Sequence, residues 1–359
     1  MTSGSKFGWS YLSGWSDCPT KGYLRNLAPW PGSGIRIDPA TRKLTLDQDI
    51  VGDNPEGGLP IGIEPKRHSP ALDIGSWVHK GMEGFYLSGI KGGQDTRQRS
   101  IEFALDEINK CLPENPTDQD TDNLAVALRL MRQYGAHYGL DHEVEVVFHP
   151  DGSPMVEGEL WLDLGYEGYQ FTSRLDLIYR RNGYLYALEH KTTAASALSK
   201  LISRFTIDGQ VTGQFLQLAS HFPDEPIGAV TLNALVKDRG AKSDLPSFIR
   251  RDYARTHAQL EKFRLDMVRK LKTIDRLIEE WTDLVAKGMD FNDAAQVVFD
   301  GSPSGTQCVG MGYSCEFLQL CQSREVLGRL LLDNYQPRTY ENSWSNPLRP
   351  PTAGPKIAE

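Results

Sequence analysis

A positive charge balance is missing from this sequence: 39 Lys and Arg stand against 47 Asp and Glu, for a formal charge of −8. That excludes a protein that coats nucleic acid by bulk charge, but leaves room for a local basic groove. No run approaches the roughly 18 consecutive apolar residues that span a bilayer. The opening MTSGSKFGWSYLSG has no apolar signal core. The expectation is a cytoplasmic protein with no membrane partner. Cysteine is scarce, at 5 in 359 residues. None of the five lies in a short C-x2–4-C knuckle of the kind that builds a zinc site. In an intracellular chain, such cysteines read as metal ligands or buried thiols rather than disulfides. Internal repeats are also lacking. What remains, 39% hydrophobic and 24% charged residues, is the composition of a globular protein with a sizeable core.

The hydrophobic period divides the chain. Residues 9–27 read as a short helical segment carrying Cys18, and the Gly-, Pro- and Asp-rich stretch 28–70 as a loop-rich insertion. Helices are predicted at 73–88, where Ile74, Val78, Met82 and Phe85 share a face, and at 98–111 and 121–139. Strands follow at 143–148, 156–164, 169–180 and 184–191, then a helix at 210–221 and a strand at 229–236. A long amphipathic helix spans about 253–287. Its other faces carry Lys262, Arg264, Arg269, Lys270, Lys272 and Arg276, which serve either as a solvated surface or as a rim for nucleic-acid backbone. The expected organisation is one domain over 1–335 and a mobile Pro-rich tail at 336–359.

The segment FTSRLDLIYRRNGYLYALEHKTT, residues 171–193, carries the chemistry. Asn182-Gly183 is a strong hairpin signal, because a type I′ turn needs positive φ at both central residues. With Arg181 opposite Tyr184, counting outward brings Asp176 opposite Glu189. Directly opposed side chains sit roughly 4.5–5.5 Å apart at Cβ, and two carboxylates there repel unless a divalent cation takes both as ligands. Strand alternation puts Lys191 on the face of Glu189. An ammonium there stabilises charge on a phosphate or orients the attacking water. Two carboxylates, a lysine and a divalent ion suffice for phosphodiester hydrolysis. Glu145 and Glu159, on the preceding strands, are further acidic candidates or plain solvent-facing residues.

Asp176 followed by Glu189-His190-Lys191 resembles the PD-(D/E)xK nuclease superfamily. GSWVHKGMEGF at 75–85 resembles the upstream helix of its RecB-like branch through Gly75 and His79. Taken alone, His79 is either a satisfied core histidine or a ligand. The resemblance implies a metal ligand. It also implies that the backbone carbonyl of His190 faces the metal while its side chain points away. The branch carries Q-x-x-x-Y on the next helix. Here Gln210 fits the glutamine, Gln214 stands in place of the tyrosine, and Gln217 with His221 is a second register. Ser173 replaces the glycine often found before the metal-binding aspartate.

Cys18 near the start and Cys308, Cys315 and Cys321 near the end form a one-plus-three pattern, C-x6-C-x5-C in the later part. Four thiolates suit zinc or an iron–sulfur cluster, while Cys111 reads as a buried thiol. The pattern resembles the iron–sulfur members of the RecB-like and AddB-like branch, with CRISPR-associated and phage exonuclease relatives. The resemblance implies a 4Fe–4S cluster on these four residues, fastening the two ends of the chain.

The fold expected is α/β: a restriction-endonuclease-like mixed sheet flanked by helices, plus a helical part closed by the cysteines. The function expected is a Mg²⁺- or Mn²⁺-dependent deoxyribonuclease, an exonuclease on single-stranded DNA or duplex ends. Asp176, Glu189, Lys191 and Gln210 are its expected catalytic residues, and His79, Asp176, Glu189 and His190 its metal-binding ones. Recombination or replication proteins are the expected protein partners. The alternatives are an inactive nucleic-acid-binding subunit and a zinc protein of another fold.

Overall fold

The structure, a computed structural model, describes residues 8–30, 35–38, 40, 44–46, 62–66, 70–90, 96–139, 143–166, 169–237, 248–299, 308–310, 313–323 and 329–338. Much of the expected insertion at 28–70, and the expected tail beyond residue 338, lie outside the described residues. Among the described residues no helix is long and apolar enough to cross a membrane.

In chain order, Trp9–Asp17 and Pro19–Asn26 form α1 and α2, and Ile35–Ile37, Leu44–Leu46 and Ile63–Pro65 form β1 to β3. Pro70–Ile90, Thr96–Asn109 and Asp118–Tyr138 form α3, α4 and α5. Then come β4 (Glu145–Val146), β5 (Val156–Asp163), β6 (Gln170–Arg181) and β7 (Tyr184–Ala194). Next are α6 (Leu198–Phe205), α7 (Gly209–His221), β8 (Ile227–Lys237), β9 (Phe248–Tyr253), α8 (His257–Ala286) and α9 (Phe291–Val298). The C-terminal elements are β10 (Val309–Gly310), β11 (Tyr313–Ser314), α10 (Leu318–Ser323), α11 (Arg329–Asn334) and β12 (Tyr335–Pro337).

These elements divide between two compact units. One comprises His68–Leu162 and Ser173–Phe263, the other Ser3–Arg67, Asp163–Thr172 and Arg264–Glu359. The first unit holds the large sheet, ordered β4-β6-β7-β8-β9, with β5 also paired to β6. β6 and β7 are antiparallel, β7 and β8 parallel, and β8 and β9 antiparallel. A parallel pair needs a crossover, which α6 and α7 supply. This mixed sheet with flanking helices is consistent with the expected restriction-endonuclease-like class.

Local chemistry sets the element ends. Asn182 and Gly183 take φ +53 and +80, as a type I′ turn requires. The ladder then runs from Arg181↔Tyr184 to Leu177↔Leu188 in the register counted from the sequence. Thr117 caps α5: its hydroxyl accepts from Asp120 N at 3.2 Å, and its own N–H donates to the Asp120 carboxylate at 2.8 Å. That reciprocal pair satisfies two of the free donors at a helix start. Gly81 lets α3 approach α4 closely, since a Cβ there would lie 2.6 Å from Ile108.

The core of this unit lies between α3–α5 and the sheet. Val78, Met82, Leu130, Met131, Leu177, Leu188 and Leu235 are buried together. In the second unit, Tyr23 stacks on Phe299 with centroids 5.0 Å apart and meets Trp281 edge-on at 5.5 Å. β9, α6 and α9 are not among the expected elements. FIRRDY, the β9 sequence, lacks a clean alternation, and Arg250 in its middle is drawn partly inward by the contacts described below.

Candidate functional site

The first unit collects the polar side chains around the end of the β6–β7 hairpin. His79 comes from α3, Asp176 from β6, Glu189 and Lys191 from β7, and Gln210 and Gln214 from the first turns of α7. Asp208 starts α7 by accepting from Gln210 N at 2.8 Å, so the cap sets where both glutamines project.

The hairpin ladder stops one pair short of the acidic residues. Beyond Leu177, the Asp176 side chain takes over a ladder hydrogen bond: the backbone N–H of His190 donates to its Oδ2 at 2.6 Å. Its other oxygen lies 3.5 Å from His79 Nδ1. Glu189, 2% exposed, accepts from Gln210 Nε2 at 2.8 Å on Oε1 and from Gln214 Nε2 at 2.5 Å on Oε2. The Lys191 ammonium also donates to Oε1. Gln217 goes elsewhere, donating to the Leu160 carbonyl at 3.0 Å. Both glutamines, one turn apart, therefore donate to the same carboxylate.

Charge is unevenly distributed among these groups. Burial pushes the Asp176 carboxyl up, but His79, His190 and Lys191 together outweigh it and hold the group below the usual carboxylate range. Burial and the Asp176 charge raise Glu189 against the opposing pull of Lys191. Lys191 is lowered by burial, but Glu189 and Asp176 outweigh that and raise it, so the ammonium stays charged. For His79, too, burial is outweighed by Asp176, and its pKa is raised. His190 is pushed down to about 3, first by burial.

The His190 ring turns to a separate network. Its Nδ1 is 2.8 Å from Asn233 Nδ2, and it stacks on Tyr86 with centroids 5.9 Å apart. Asn233 also donates to Tyr134 Oη at 3.1 Å. Arg250 donates to the Tyr134 and Tyr86 hydroxyls at 2.6 and 3.1 Å, with its guanidinium 3.8 Å from the Tyr138 ring centre. This network braces β7 between Glu189 and Lys191.

Glu157 is a neighbour that the sequence did not single out. Among the described residues, the one set of three His, Cys, Asp or Glu ligand atoms within 4.8 Å of one another is His79, Glu157 and Asp176, which leaves Glu189, expected as the third ligand, outside it. Glu157 has φ +53, which costs an L-residue about 1–2 kcal/mol. Arg174 Nε lies 2.8 Å from its Oε2. Burial and the Asp176 charge raise its carboxyl to about 7. Glu145 is exposed opposite Arg180 on β6, and Glu159 is outside the set. The one available signal was Gly158, since an isolated glycine in a strand often marks a departure from regular alternation.

An imidazole and carboxylates are hard-to-borderline donors, and they suit Mg²⁺ or Mn²⁺. Cys18, Cys308, Cys315 and Cys321 belong to the second unit, and Cys111 to the first. Cys18 sits between α1 and α2. Cys315 N donates to the Cys308 carbonyl at 2.8 Å, and Cys321 lies in α10. Arg25 of α2 pairs with Glu316 at 3.1 Å. Among the described residues, however, the cysteine sulfurs do not form a set within the 4.8 Å that ligands of a single ion require. Cys111 is half-buried just past α4, its thiol 3.4 Å from the Glu107 carbonyl.

No curated protein sequence matches the chain. A family model for the PD-(D/E)XK nuclease superfamily matches residues 56–322. The match spans most of the chain and includes His79, Glu157, Asp176, Glu189, Lys191, Gln210 and Gln214 but not Cys18, which removes the alternative of an unrelated fold. The chain belongs to the PD-(D/E)XK nuclease superfamily.

Proposed function

We propose that the protein is a divalent-metal-dependent deoxyribonuclease of the RecB-like branch, an exonuclease acting on single-stranded DNA or duplex ends. The observation that supports this most is the convergence on Glu189. One buried carboxylate receives Lys191, Gln210 and Gln214, with Asp176 and His79 alongside. In this reading His79 and Asp176 hold the cation, and Glu189, which stands outside their 4.8 Å set, would join them when the cation binds, with the His190 carbonyl as a further ligand. When bound, the cation supplies Lewis-acid stabilisation of the phosphate and a more acidic water. Gln210 and Gln214 fix the rotamer of Glu189, so that its oxygens are ordered before substrate arrives. Lys191, partly exposed and charged, faces the negative charge that grows on the phosphate. The His190 amide holds Asp176 in place.

The four cysteines are proposed to carry a structural 4Fe–4S cluster. Thiolates are the right donors for iron, and the Arg25–Glu316 pair links α2, which follows Cys18, to the cysteine-bearing C-terminal segment. No catalytic step passes through that group. Replication or recombination proteins remain the proposed partners.

The test is cleavage of end-labelled single- and double-stranded DNA under anaerobic conditions, with Mg²⁺, Mn²⁺ or chelator. Activity is expected only with metal. Glu189→Ala and Lys191→Ala should each lower the rate by at least about 10²-fold. Parental rates in both variants would defeat the assignment. Brown colour and bound iron, lost in Cys315→Ser, are expected for the cluster. A colourless zinc protein would refute it.

A further inference from the structure

Glu157 sits in a conformation that a regular strand would not give it. Along β5, Gly158, Leu160 and Leu162 are buried while Glu159 and Trp161 are only partly so. Glu157 is partly buried, as that alternation gives, but it holds a positive φ, and its carboxylate stands within ligand distance of His79 and Asp176. The contact with Arg174 does not explain this. A partly exposed ion pair contributes less than a left-handed residue costs, and Glu159 already places a carboxylate near the same guanidinium without positive φ.

Two carboxylates close together repel, and Arg174 relieves that from one side. A divalent cation among His79, Glu157 and Asp176 would relieve it from the other. The guanidinium and the cation then draw on the same carboxylate. The Arg174 side chain is 39% exposed, so a guanidinium that weakens its hold on Glu157 loses little by turning to water.

We propose that Glu157 is a ligand of the catalytic divalent cation, and that Arg174, by sharing that carboxylate, sets how tightly the cation is held. This rests on the metal site proposed above and adds to it a residue and a means of tuning.

The test is Mn²⁺ binding to the full chain without DNA, measured by titration calorimetry and by the electron paramagnetic resonance of free Mn²⁺. Glu157→Gln should weaken Mn²⁺ binding by about tenfold or more. Glu157→Asp, which keeps the charge, should fall between Glu157→Gln and the parent. Arg174→Gln should tighten binding severalfold in the parent and leave it unchanged in the Glu157→Gln background. A guanidinium that repelled the cation only through space would tighten binding in both backgrounds. Asp176→Asn separates the two levels of the argument. If Asp176→Asn loses Mn²⁺ while Glu157→Gln and Glu157→Asp bind as the parent does, the Glu157 ligand is wrong and the metal site stands. If Asp176→Asn also binds as the parent does, the site itself is wrong. Unchanged Mn²⁺ affinity in Arg174→Gln overturns the tuning role. If Glu157→Gln fails to fold by circular dichroism, Glu157→Asp and Arg174→Gln decide the matter.

Discussion

Replacing Gln214 with leucine separates stability from positioning. Gln214 is 1% exposed, and its amide N–H donates to the Glu189 carboxylate at 2.5 Å. A hydrogen bond to a charged group contributes about 1.5–3 kcal/mol. The other end of the same amide pulls the opposite way. Gln214 Oε1 is buried and has no protein partner among the described residues, and an unsatisfied buried acceptor costs about 1–3 kcal/mol. Leucine removes both at similar volume, so the net loss of stability should stay within about 2 kcal/mol. Glu189 nevertheless loses one of its donors, and its rotamer is then held only by Gln210 and Lys191. The single-turnover cleavage rate should fall by about 10- to 100-fold, the range for groups that orient metal ligands. Urea denaturation and single-turnover cleavage on the same preparation read the two quantities. Gln214→Tyr, with a phenol to donate and no carbonyl to strand, should recover most of the activity. An unchanged rate in Gln214→Leu refutes the positioning role. A large loss of stability refutes the reasoning that the two ends of the amide offset each other.

His190 predicts an acid-sensitive fold. Burial holds its folded-state pKa near 3, below the ~6.5 of an unfolded histidine. Below pH ~6.5 the unfolded chain therefore binds a proton that the folded chain does not, so stability is lost as pH falls from ~6.5 toward ~3, by up to ~1.4 kcal/mol per pH unit. Urea midpoints at about pH 6 and pH 5 should diverge less in His190→Gln than in the parent, and parallel shifts would refute this. Arg250→Met should destabilise the protein by about 3 kcal/mol, from two lost hydrogen bonds to tyrosine hydroxyls and a stacking contact on Tyr138. A thermal midpoint within one degree or so of the parent would argue that the network contributes little.

The hairpin was legible because its determinants are local. Asn182-Gly183 needs no distant contact to favour a type I′ turn, and strand alternation then carries the register outward to Leu177 and Leu188. The helices with a clear apolar stripe, α3 to α5 and α8, were legible for the same reason. β9 was not, because Arg250 lies in it and meets Tyr86, Tyr134 and Tyr138 from other elements. The fate of the three glutamines was equally hidden. A helix pattern shows that Gln210 and Gln214 share a face, but the sheet packed beneath decides that this face meets Glu189 while Gln217 meets Leu160.

The sequence by itself determined the hairpin and its register, and put Asp176, Glu189 and Lys191 on it as the residues expected to cleave a phosphodiester, since the placement follows from turn chemistry and the two-residue strand period. Tertiary structure alone decided what surrounds Glu189 and that Asp176 bonds the His190 amide where the ladder parts. It also decided that Glu157, rather than Glu145 or Glu159, joins His79 and Asp176. That last choice depends on how β5 pairs with β6, and Glu157 holds a positive φ there, a strain that a folded environment can sustain and a local pattern does not encode.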